Sequence, residues 1–175
     1  MSRIAAGTYP PYFETYVRLV ETENVADTIN KYGNEIVKDF ENLPAEKAEY
    51  SYAPGKWTLK EMLQHVIDTE RIFSYRALCI AREDATPLPG FDENSYAANS
   101  NASTRTWQSL LAEFSAVRTA TDLLFSSFTN EQLEAVGTTN GNPTSAKALV
   151  YITYGHLLHH LNIIRQRYLT DYSPA

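Results

Sequence analysis

The chain is 175 residues long, which suits one domain of the usual roughly 100–200 residues and leaves room for one sizeable core. Apolar residues make up 43% and charged residues 21%, and the formal net charge is −6, which excludes the basic stripe of a nucleic-acid binder. The one cysteine, Cys79, excludes an internal disulfide framework, and no apolar run reaches the roughly 18 residues of a membrane span.

Residues Met1–Pro11 carry one arginine and no apolar core of signal-peptide length, so a cytoplasmic protein with a single domain over 1–175 is expected. Pro10 and Pro11 mark an irregular lead-in, and a short helix is expected around Tyr12–Val20. Val25, Ile29, Tyr32, Ile36, Phe40 and Leu43 recur at helical spacing, with Pro44 just past the end. Residues 44–56 read as a loop. Thr58 with Glu61 three residues on is a capping-box pattern. In the helix it opens, Leu59, Met62, Leu63, Val66, Phe73, Ala77 and Ile80 form one apolar stripe. His65 lies on the shoulder of that stripe, near Thr69, Ile72 and Arg76, and Glu70 falls close to its middle. The helix is expected to end near Glu83.

Residues 84–102 read as a long connection of the kind that is often functional. A third helix, capped near Ser103 or Thr104, carries Trp107, Leu110, Leu111, Phe114, Val117, Thr121, Leu124, Phe125 and Phe128 on its apolar face. Thr129 and Gln132 repeat the capping-box pattern for a short helix. Residues 137–144 are turn material with room for a small hairpin. The fourth helix is expected from Thr144 or Ser145 to about Leu169, with the stripe Leu149, Ile152, His156, His160, Ile163 and Arg167. Four long amphipathic helices, no convincing strand and no repeat point to an all-α four-helix bundle. The long connections permit a topology other than simple up-down-up-down.

Four histidines occur in the chain, and three of them fall within five residues, at His156, His159 and His160. Residues four apart on a helix differ by about 40° around its axis, so His156 and His160 face the same way, while His159 falls to one side. A third imidazole from His65 would complete a three-nitrogen metal site with an open position. The alternative is that each is a core histidine satisfied by a hydrogen bond. Imidazole suits zinc, nickel, copper or iron rather than calcium or magnesium. Glu70 has two readings as well. One is a buried ion pair with Arg167 or Arg76 that fixes helix register. The other is a site role, as general base or as the residue that orients a histidine.

Several motifs resemble the DinB-like superfamily. They are Gly55-Lys56-Trp57-Thr58, His65, Asp68-Thr69-Glu70-Arg71, Tyr75-Arg76-Ala77, Ala81-Arg82, Pro89-Gly90-Phe91-Asp92, Gly155-His156 with His159-His160, and Ile164-Arg165-Gln166-Arg167-Tyr168. The resemblance covers about Val25 to Leu169. It implies a four-helix bundle with a divalent metal on three histidines, which at the matching positions are His65, His156 and His160; zinc or nickel is expected. Family members with known activity include thiol S-transferases and isomerases using low-molecular-weight thiols, and others are called hydrolases by analogy. The expected function is therefore that of a metal-dependent thiol transferase or hydrolase with a small-molecule substrate. A non-catalytic metal- or small-molecule-binding module is the alternative. The resemblance also implies a homodimer. Phe91, Asp92, Asn94 and Tyr96 are expected to shape the pocket.

Overall fold

The computed structural model describes residues 4–170, so the outermost residues of the expected 1–175 domain lie outside it. Seven helices and one hairpin follow in chain order: α1 (Glu14–Val17), α2 (Val25–Glu41), α3 (Leu59–Ala81), α4 (Glu93–Asn99), α5 (Trp107–Ser126), α6 (Asn130–Glu134), β1 (Val136–Thr139), β2 (Asn142–Ser145) and α7 (Ala146–Ile163). The long helices α2, α3, α5 and α7 enclose one continuous apolar core. None of the described helices is long and apolar enough to cross a membrane.

Local chemistry starts the helices where side chains can satisfy the first free N–H groups. Thr58 and Glu61 form the expected capping box on α3, and Thr129 and Gln132 form one on α6. Asn24, Thr106 and Ser145 cap α2, α5 and α7. Helix α5 therefore begins later than expected from Ser103 or Thr104, because residues 102–104 form a separate 3-10 turn. Helix α3 stops at Ala81, with Glu83 in the left-handed region and the Asp84 N–H returning to the Cys79 carbonyl.

The packing partners define the topology. Helix α3 lies against α7 and α5, and α2 lies against the same two, which leaves α2 and α3 across a diagonal. The end of α7 meets the start of α3, where the Tyr168 hydroxyl donates to the Trp57 carbonyl at 2.7 Å. At the other end Gly137, on the hairpin that leads into α7, lies against Ile80. Helices α3 and α7 therefore run antiparallel. Gln64–Arg105 and Glu70–Arg118 contacts make α3 and α5 parallel neighbours. A short loop cannot join parallel neighbours, so the connection after α3 must run back along the bundle. That explains its length, and it also carries helix α4 and a 3-10 turn where a plain loop was expected.

The hairpin is real, closed by Asn140 and Gly141, both with positive φ, in the Asn-Gly turn such strands favour. It clamps the connection: the Leu88 N–H donates to the Thr138 carbonyl at 2.9 Å and the Asn140 N–H to the Leu88 carbonyl at 2.8 Å. Residues Ile164–Tyr168 form a π-helical turn. That turn holds more residues than an α-turn, so Ile164 and Tyr168 are buried where the regular spacing assigned Ile163 and Arg167 to the stripe.

Candidate metal centre

Antiparallel packing of α3 on α7 brings His65 to the pair His156 and His160. The three Nε2 atoms form a nearly equilateral triangle, with separations of 3.1 Å (His65–His156), 3.2 Å (His65–His160) and 2.9 Å (His156–His160). All three residues are buried, at 8%, 4% and 6% exposure. His159 is half-buried and stacks at a tilt on Tyr16, outside the triangle. Trp57 covers His65 with ring centroids 4.8 Å apart, and Tyr16 and Phe73 stand edge-on to His156 at 5.4 and 5.8 Å.

Gly155 is what lets Tyr16 approach. A methyl group there would overlap the Tyr16 backbone carbonyl, so α1 can lie on α7 only where the side chain is missing.

The triangle has the chemistry of a cation site. Burial lowers the pKa of His65 to about 4, and burial together with the neighbouring imidazoles lowers those of His156 and His160 well below the usual value. All three rings are thus neutral at pH 7, and each neutral ring has a single N–H to donate. Hydrogen bonds around a closed triangle cannot satisfy three convergent Nε2 atoms at once, and the Nδ1 of His160 has no partner among the described residues. A metal satisfies all three. Nε2 atoms at zinc-like distances stand about 3.3 Å apart in a tetrahedron and about 2.9 Å apart on one face of an octahedron, so the residues present fit a divalent transition ion. Thr69 Oγ1 lies 3.5 Å from the His65 Nδ1, one turn along α3.

The three histidines line an open cleft of about 380 Å³. Its walls are aromatic, with Tyr12, Phe13, Tyr16, Trp57, Phe73 and Phe91, and its polar groups include Thr69, Arg76, Glu93 and Asn140. Phe91 thus takes part in the pocket as expected. Asp92 instead caps α4 by accepting from the Asn94 and Ser95 N–H groups, and Asn94 and Tyr96 do not line the cleft.

Glu70 does not line the cleft either. Its partner is Arg118 on α5, at 2.7 Å, with both side chains 1% exposed. Arg118 also pairs with Asp122, which accepts from the Tyr154 hydroxyl at 2.5 Å. Neither expected partner is used. The π-turn leaves Arg167 on the exposed side, donating to the Tyr52 hydroxyl at 3.1 Å, and Arg76 donates to the Pro89 carbonyl at 2.6 Å. Burial pushes the Glu70 carboxyl above its usual range, with Arg118 acting against it. Arg118 itself is held charged by Glu70, Tyr154 and Asp122 despite its burial.

Tyr12, Tyr16 and Asn140 are cleft residues that had no assigned role in the sequence, and Arg76 was read there only as a partner for Glu70. For Arg76 a signal existed: it continues the His65–Thr69–Ile72 line along the shoulder of α3. The tyrosines and Asn140 reach the cleft through tertiary packing, which periodicity does not report.

Comparison with known proteins gives a family and a fold. A family model described as the DinB superfamily matches residues 34–164. Among solved structures, YfiT from Bacillus subtilis, described as a probable metal-dependent hydrolase with an unusual four-helix bundle topology, matches with a TM-score of 0.68 at 15% identity, over 92% of this chain and 92% of that one. That likeness is one of fold. A comparison with curated proteins returns no match. With a family model spanning most of its length and the bundle that goes with it, the chain belongs to the DinB superfamily.

Proposed function

We propose that the protein is an enzyme dependent on a divalent transition metal, zinc or nickel, held by His65, His156 and His160, and that it acts on a small molecule admitted by the adjoining cleft. The observation that carries this reading is the convergence of three buried, neutral Nε2 atoms on one point beside an open cleft. When bound, such an ion supplies a Lewis acid with an open position, where water or a thiol is ionised near neutral pH. The chain's own residues hold the three imidazoles neutral and aimed, and the aromatic walls keep water from surrounding the reacting atoms.

Thiol transfer is the reading the side chains favour. Hydrolysis asks for a group to accept a proton from water. Glu70 is committed to Arg118, and the only carboxylate lining the cleft among the described residues is Glu93, on its exposed rim. Hydrolysis is the second reading, supported by the description of YfiT as a probable metal-dependent hydrolase; Glu93 is then the base.

The test is metal content after purification without chelator or affinity-tag histidines, followed by cobalt loading. Stoichiometric metal, lost in His160→Ala, is the expected result. A sulfur-to-cobalt absorption band on adding a thiol supports transfer. A folded protein that takes up no zinc, nickel or cobalt overturns the metal-dependent reading. Full metal uptake with no activity across thiol and ester panels leaves a non-catalytic binding module.

A further inference from the structure

Arg76 is the one strongly basic side chain that lines the metal cleft among the described residues, and it is buried, with 6% exposure. Among the described residues one hydrogen bond holds it, from Nη2 to the Pro89 carbonyl. Its guanidinium carbon stands 6.0 Å from the Phe73 ring and 5.9 Å from the Phe91 ring. It makes no ion pair among the described residues, unlike buried Arg118, which pairs with both Glu70 and Asp122. Glu93 shares the cleft but stands exposed at its rim without pairing to Arg76. A buried cation without a counter-ion is costly. Arginine has five N–H donors, so most of its fork is left for a ligand.

Its position is informative. Phe73 neighbours both Arg76 and His156, with its ring edge-on to the imidazole at 5.8 Å. Arg76 also lines a second, more apolar pocket of about 310 Å³ with Ile72, Tyr75, Leu88, Pro89, Gly90, Phe91 and Tyr96. The guanidinium thus stands where the metal cleft meets an apolar recess. Gly90 in the shared wall lies against the Asn140 side chain at the hairpin tip.

We propose that Arg76 is an anion subsite that selects substrates carrying a carboxylate, bound so that the rest of the molecule reaches toward the three histidines. A carboxylate suits it better than a phosphate. One guanidinium balances one charge, a planar carboxylate can take two parallel N–H donors, and no second basic side chain lines the cleft among the described residues to meet a doubly charged group away from the histidines. The substrate class deepens the metal-enzyme reading given above and rests on it. The anion subsite can be tested without the metal.

The experiment uses two matched pairs of probes. On the cobalt-loaded protein, 3-mercaptopropionate is compared with 3-mercapto-1-propanol, with the sulfur-to-cobalt band as readout. On the metal-free protein, propionate is compared with 1-propanol, with emission of Trp57, which lines the cleft, as readout. Wild type is expected to prefer the carboxylate member of each pair by about tenfold. Arg76→Met removes that preference while leaving the affinity for 3-mercapto-1-propanol unchanged, and Arg76→Lys retains part of it. Equal binding of acid and alcohol by wild type overturns the subsite. So does an equal loss of both thiols in Arg76→Met, which would mark the side chain as only a clamp on Pro89. Failure to load metal defeats the metal-enzyme reading, and the propionate arm still decides the subsite.

Discussion

At the residue scale, the imidazoles tie stability to pH. The neutral form of His65 is favoured by burial, with a folded pKa of about 4 against 6.5 in the unfolded chain. The unfolded state therefore binds more protons between these values, and stability falls as pH drops through that window. Above pH 6.5 the full stability is present, and below pH 4 no more is lost to this group. For His65 alone the loss is about 3 kcal/mol, and His156 and His160 act in the same direction. Urea titrations of metal-free protein from pH 7 to pH 4 should show this decline, and His65→Gln should flatten it; an unchanged slope would mean that the ring is solvated. Glu70 gives a second prediction. Its pair with Arg118 is fully buried, and Glu70 Oε2 and Arg118 Nε have no hydrogen-bond partner among the described residues. Removing one partner strands the other charge, so Glu70→Gln or Arg118→Met should each cost about 3–5 kcal/mol. The double replacement should cost less than the two combined, by a margin a double-mutant cycle measures. Metal affinity should be unaffected in Glu70→Gln, because Glu70 does not line the cleft; a loss of metal would restore a site role to this carboxylate.

At the scale of elements, the close approach of α1 to α7 depends on one position. Gly155→Ala places a methyl against the Tyr16 carbonyl, and a mid-helix glycine would otherwise gain up to about 1 kcal/mol from that change. Overpacking should reverse the sign, with a net loss of about 1–3 kcal/mol and faster amide exchange over residues 11–20. Unchanged exchange there would show that α1 is not held by this contact. The elements also show what was legible in the sequence and what was not. Capping boxes at Thr58 and Thr129 and the apolar periods of α2, α3, α5 and α7 are local signals, and they marked the four long helices directly. The triangle was legible because His156 and His160 share a helix face whatever the rest of the chain does. The Arg118 partner of Glu70 was not, since it sits on a third helix and depends on how α3 and α5 align. The π-turn at Ile164–Tyr168 was not either: a regular wheel has no means to register an added residue in a turn, so Arg167 was placed inward when it faces solvent. Helix α4 lay hidden in a connection rich in Pro and Gly, with Asp92 as its unread cap.

At the scale of the whole molecule, the topology makes the site depend on two helices far apart in sequence. Helices α3 and α7 pack directly against each other, yet the whole of the returning connection, α5, α6 and the hairpin lies between them in the chain. Metal held by His65 on one and by His156 and His160 on the other would fasten them where chain continuity does not. An ion that binds only the folded state adds stability by mass action, about 2.7 kcal/mol at a hundredfold excess over its dissociation constant. For a domain of this size that is roughly 5–10 °C in melting temperature. His65→Ala and His160→Ala should abolish the increment alike, although they lie on different helices. Hydrogen exchange distinguishes a tie between helices from a local effect on α7. If the ion joins the two, protection gained on metal addition should appear around His65 in α3 and around His156 in α7 together. Protection confined to α7 would mean that His65 is not a ligand, and the site would reduce to the pair four residues apart, too weak a chelate to hold the bundle or to organise chemistry.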